Sequence, residues 1–151
     1  MQQRRRLRAL ALQALYEIDC TTHLAADVEA RYVDENALEP DAEAFFRYLV
    51  GGVVAGKTAL DDLIHAYAPE WPVNQLAVVD RNILRIAIHE LVSGNETPIK
   101  VAINEAVELA KIYASDNAPR FINGVLGTIA VNLEAQIAAA HRGQAGPSST
   151  L

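Results

Sequence analysis

Cysteine is all but missing. Cys20 is the single one in the chain, which excludes an intramolecular disulfide framework and any metal site that needs two thiolates from one chain. Long apolar runs are absent as well, and no stretch approaches the ~20 uncharged residues of a membrane-spanning helix. The N-terminus, MQQRRRLRAL, has no separate apolar region followed by a small-residue cleavage site, so the chain reads as a soluble cytoplasmic protein, bacterial in style. Internal repeats, a glycine-rich loop to cradle phosphate, a supported Ser, His and Asp set, and any useful length of alternating strand pattern are also lacking. His65 has no second metal ligand nearby and reads as structural or solvated. His89 and Glu90, adjacent on a helix, point about 100° apart and do not make an acid-base pair.

Apolar side chains at helical spacing are what the chain has in abundance. Hydrophobic residues make up 51% of its 151 positions, enough for a substantial core. The expected fold class is all-α, with about six to seven helices. They form a single domain over residues 1–140, followed by a Gly, Pro and Ser-rich disordered tail over 141–151. Leu7, Leu10, Ala11, Ala14, Leu15 and Ile18 predict a core-facing helix from about Arg4 to Asp19, and a shorter helix follows from Leu24 to Leu38, ending before Glu39-Pro40. Phe46, Leu49, Val53, Gly56, Leu60, Leu63 and Tyr67 alternate steps of three and four, a seam for shallow-angle packing that Pro69 and Pro72 stop. Val73 to Val92 reads as one unusually apolar, central helix closed by Gly94. Its charges, Asp80, Arg81 and Arg85, read as ion pairing on the helix surface.

The rest is organised around the run from Pro98 to Val131, which predicts two amphipathic helices joined by the polar elbow Ser115-Asp116-Asn117. Ile99, Ile103, Ala106, Val107 and Ala110 form the buried stripe of the first, leaving Asn104, Glu105, Glu108 and Lys111 on other faces. Phe121 or Ile122, Val125, Leu126, Ile129 and Leu133 form the stripe of the second. Gly124 and Gly127 inside it each cost roughly 1 kcal/mol relative to Ala, which points to close approach of another backbone.

Charge is distributed unevenly. The net charge is −6, yet Arg4, Arg5, Arg6 and Arg8 gather four of the 13 basic residues at the very start of the chain. An acidic body with one cationic end suits a polyanion contacted at one place. Cations at a helix N-terminus oppose the macrodipole at ~0.3–1 kcal/mol each, and bound phosphate would relieve them. The other reading is a frayed, solubilising terminus. Arg5, Arg8 or Ala9, Leu12 and Tyr16 extend the basic end along one helix side.

Three segments, RRRLRALALQALYEID, VDRNILRIAIHEL and KVAINEAVELAKIYASDNAPRFINGVLGTIA, resemble the NusB family of bacterial transcription antitermination factors in unbroken order over roughly residues 4–133. The resemblance implies two three-helix subdomains, no catalytic activity and no cofactor. It also implies binding of the boxA segment of nascent ribosomal or phage RNA, heterodimer formation with NusE, and loading onto RNA polymerase with NusA and NusG; some relatives form homodimers that bury the RNA surface. Carried over by position, the Arg4, Arg5, Arg6 and Arg8 cluster matches the family's RNA-contacting arm. Gln13 and Tyr16 match the stretch that meets RNA and NusE, and Asp80 the acidic position facing NusE. Lys111, Asn117, Arg120, Phe121 and Asn123 match the RNA surface near the elbow. Asn117 stands where an acidic residue is common, and Pro119 is less usual there. Phe121 suits a base-stacking face or the core equally, and Asn117 and Asn123 suit reading of base edges. Two other readings stay open: the leading domain of a ribosomal RNA cytosine methyltransferase, and a helical protein-interaction module that binds no RNA.

Overall fold

The computed structural model describes residues 2–94 and 96–145. Six α-helices follow one another: α1 (Gln2–Cys20), α2 (Ala25–Glu35), α3 (Pro40–Tyr67), α4 (Val78–Val92), α5 (Ile99–Tyr113) and α6 (Ala118–Ala145), with a 3-10 turn at Val73–Gln75. No strand occurs among the described residues. Pro40 opens α3 in the first turn, where its missing N–H leaves no bond unmade. Gly94, at φ +71°, closes α4 in the left-handed conformation glycine adopts freely.

Two boundaries differ from the sequence expectation. Val73 to Val92 is not one helix, because Leu76 and Ala77 are extended and α4 begins only at Val78. Asp80 thereby falls in the first turn of α4, where a carboxylate complements the helix dipole. At the other end α6 continues through Ala145, so residues 141–145 of the expected tail are helical, and 146–151 lie outside the described residues.

α1, α2 and α3 pack as one three-helix unit and α4, α5 and α6 as another, with α4 also set against α1 and α3. A single core runs through both, from Leu7, Phe46, Leu49 and Ile64 to Ile83, Leu84, Ile88, Ile122 and Leu126. Every residue from Asn82 to Ile88 is buried, as an apolar sequence on all sides of α4 requires. Charges on such a helix must be paired inside. Arg85, expected on the surface, is buried instead: it donates through Nε and Nη2 to Asp61 on α3 at 2.8 and 2.9 Å, and through Nη1 to Asp19 on α1 at 2.9 Å. Burial pushes the Asp19 carboxyl up, but the Asn82 amide and the guanidinium groups of Arg85 and Arg81 outweigh it and hold it below the usual range.

The glycines divide by what a side chain would meet. At Gly124 and Gly127 a Cβ would meet nothing within 4 Å, so the close approach expected there is not found. At Gly52 on α3 it would overlap the His89 imidazole. Burial pushes the His89 pKa down, with the Tyr48 carbonyl and the Glu90 charge opposing it. The imidazole lies 4.5 Å from the Tyr48 ring, with Nε2 at 3.1 Å from the Tyr48 carbonyl. Gly124→Ala is therefore expected to raise stability by about 0.5–1 kcal/mol, and Gly52→Ala to lower it by about 1–3 kcal/mol. Chemical denaturation midpoints check both; the Gly52→Ala loss should shrink in a His89→Ala background, and equal losses in the two backgrounds would contradict the overlap.

Candidate nucleic-acid interface

α1 and α5 both rest on α4, and the seam between them runs in the same direction along both, from the Arg5–Glu105 pair to Tyr16 and Tyr113. Near its start Arg5 faces Glu105, and farther along Gln13 and Tyr16 share a pocket with Tyr113, Val79 and Tyr32. The α5 segment from Glu105 to Tyr113 covers about 12 Å at 1.5 Å per residue, and the elbow follows directly. The elbow thus begins about 12 Å along α5 from the residue that Arg5 meets.

The leading arginines do not act as a set. Arg6 is exposed, makes no ion pair among the described residues, and lies seven positions before exposed Gln13 on the same helix face. Arg4 lies against Phe45, its guanidinium carbon 4.3 Å from the ring centroid, beside a hollow lined by Asp41, Tyr48 and Glu96. Arg5 donates from Nε and Nη2 to the two oxygens of Glu105 at 3.0 and 2.7 Å. Arg8 is only 4% exposed and donates in the same two-pronged way to Glu90, at 2.9 and 2.8 Å. Its expected place in an exposed basic arm is therefore corrected. Position 8 precedes Ala11 and Leu15 by three and seven residues, so it falls on the core side of α1, where Glu90 of α4 meets it.

Glu105 is a second correction. Expected on a solvated face, it is 7% exposed, next to Ala106 and in helical register with Ala102 and Leu109. Its hydrogen bond to Arg5 is the main reason its carboxyl is held below the usual range, with burial opposing and the charges of Arg5 and Arg8 adding to the lowering. A glutamate at an inward helical position was the signal in the sequence that an arginine must come to it.

Toward the elbow, Lys111 is exposed, 3.4 Å from Glu108. Asn117, Arg120 and Asn123 follow at intervals of three on an exposed face at the start of α6. Phe121 is half-buried and meets Trp71 edge to face, with ring centroids 6.2 Å apart at 74°. The two rings line a pocket with Leu76, Asp80, Ser115, Asn117 and Ala118. Asp80 is half-buried, accepts no hydrogen bond among the described residues, and burial pushes its carboxyl pKa up. Tyr16, Ile112 and Tyr113 are exposed. Trp71 and Tyr113 entered the site without notice in the sequence, since lone aromatics beside a proline or at a helix end carry no periodic signal.

The NusB family model matches residues 5–131, a span that holds every candidate residue except Arg4. The chain belongs to the NusB family. A relative from Roseiflexus sp. (strain RS-1), named transcription antitermination protein NusB, is 52% identical over 128 residues, covering 83% of this chain and 90% of that protein. Among solved structures, T. maritima NusB superposes with a TM-score of 0.78 at 36% identity, covering 84% of this chain and 89% of that one. A structure of the antitermination factors NusB and NusE in complex with double-stranded RNA superposes at 0.77 and 28% identity, covering 87% and 98%. The resemblance seen in the three sequence segments and the all-α NusB-like fold are both borne out. These relatives lend nothing to the reading as the leading domain of a methyltransferase.

Proposed function

We propose that the protein is a transcription antitermination factor that holds single-stranded boxA RNA of nascent ribosomal transcripts along the groove between α1 and α5 and around the elbow. The observation that carries this is the chemistry along one face of a NusB-family fold. Exposed cations (Arg5, Arg6, Lys111, Arg120) alternate with amides (Gln13, Asn117, Asn123) and a half-buried aromatic, Phe121. Cations hold the phosphate backbone while amides and aromatic rings meet splayed bases, which is how unpaired RNA is read. Arg8 takes no part in contact, and Arg4 joins from the flank. Tyr16 and Asp80 face NusE in this reading: a half-buried carboxylate that accepts no hydrogen bond among the described residues suits a cation brought by another protein. The complex acts on elongating RNA polymerase with NusA and NusG, in the cytoplasm, by binding alone. A homodimer through the same face would cover the groove and exclude RNA.

Asn117 tests the assignment of the elbow. Asn117→Asp adds a carboxylate beside the backbone path, worth about 0.5–1 kcal/mol of repulsion, or roughly a two- to fivefold loss of affinity. In a filter-binding titration the unaltered protein should prefer boxA over a scrambled RNA and the variant should bind boxA less tightly. Equal or tighter binding by the variant would contradict the placement of RNA at the elbow.

A further inference from the structure

Arg5 is fixed in place while its far edge stays open. Its bonds to Glu105 use two of the five N–H groups a guanidinium carries, so three remain. Its side chain is 55% exposed, against 8% for Glu105, and its open edge gives onto the hollow lined by Asn104, Glu108 and Lys111. Glu105 is braced from the inside: Arg8 Nη1 stands 3.8 Å from its Oε1, Arg8 is held by Glu90, and Glu90 Oε1 accepts from the Thr97 hydroxyl at 3.2 Å. If Arg5 swung away to reach RNA, a buried carboxylate would lose both of its short bonds, an outcome the burial makes expensive. Arg5 is therefore set to meet a ligand without leaving Glu105.

We propose that Glu105 is a positioning residue for RNA binding, holding Arg5 so that its three free N–H groups face the groove and take a phosphate of the bound strand. This rests on the reading of the groove as the RNA track. Its sign is distinctive. Removing a carboxylate near a polyanion ordinarily tightens binding, whereas a freed Arg5 must lose its rotamer freedom on binding and so weakens it.

The experiment is an equilibrium titration of a boxA oligonucleotide with the full chain, its Glu105→Gln and Glu105→Asp variants, Arg5→Ala, Lys111→Ala, and the double variants. Glu105→Asp keeps the charge and withdraws it by one methylene, and melting followed by circular dichroism confirms that each variant is folded. Both Glu105 variants should lose affinity by about three- to tenfold, the size of one side chain's ordering. Glu105→Gln should add nothing once Arg5 is Ala, yet combine fully with Lys111→Ala. Equal or tighter binding by the Glu105 variants, with Arg5→Ala weakened, overturns the positioning role and leaves the RNA track standing. A Glu105→Gln loss that persists undiminished without Arg5 overturns it too, since Glu105 then acts through the fold alone. An Arg5→Ala protein that binds normally removes both this role and the RNA assignment at that end of the groove.

Discussion

Arg8→Ala is expected to destabilise the protein by about 3–5 kcal/mol, the range for removing one partner of a buried ion pair. At 2–4 °C per kcal/mol for a chain of this size, the melting temperature should fall by roughly 6–20 °C. The reason lies in what is left behind. The side chains of Arg8 and Glu90 are 4% and 1% exposed, and without the guanidinium the Glu90 carboxylate keeps the Thr97 hydroxyl but is deprived of its two-pronged cationic donor. Replacing both partners with apolar residues of similar size, Arg8→Met with Glu90→Leu, should recover most of the loss, because no charge is then stranded. Thermal melts of the single and double variants check this. A stable Arg8→Ala protein with weakened RNA binding would instead return Arg8 to the surface.

Periodicity made most of the fold legible. Leu7, Ala11 and Leu15, the α3 seam residues Phe46, Leu49, Val53 and Leu60 and the stripe Ile122, Val125, Leu126 and Ile129 are buried where their spacing places them, while Gly56, Leu63 and Tyr67 of that seam are half-buried. What periodicity concealed were charges with partners far along the chain. Arg8, Arg85 and Glu105 sit at inward positions, yet a charged residue read alone defaults to the surface, and the partners that reverse this lie 82, 24 and 100 residues away. The break before α4 was hidden for a different reason: Leu76 and Ala77 are good helix formers, yet both are non-helical where Val73 and Leu76 pack against the core.

The candidate site was legible in its residues more than in its geometry. Asn117, Arg120, Phe121 and Asn123 were identified through family resemblance, and their exposure or pocket position fits a binding face. That the leading arginines would be divided among an aromatic ring, two carboxylates and solvent was not readable from RRRLR, because each fate depends on which helix stands opposite. The exposed cations of the proposed track are Arg5, Arg6, Lys111 and Arg120. Replacing all four by Ala should lower boxA affinity by roughly 100- to 1000-fold, at about 0.7–1 kcal/mol for each cation removed from the phosphate path. Stability should fall mainly through Arg5, whose loss leaves the buried Glu105 carboxylate without its two short bonds, since the other three are exposed with at most a weak surface pair.

The salt dependence of that binding is the most direct measurement. Each phosphate neutralised on a single strand contributes about 0.7 to the slope of log K against log salt. If the groove between α1 and α5 carries the RNA, the fourfold variant should bind boxA with a slope shallower than that of the unaltered protein by roughly 3, while remaining folded. A folded variant that keeps the original slope would mean that the backbone of the RNA runs elsewhere on the molecule.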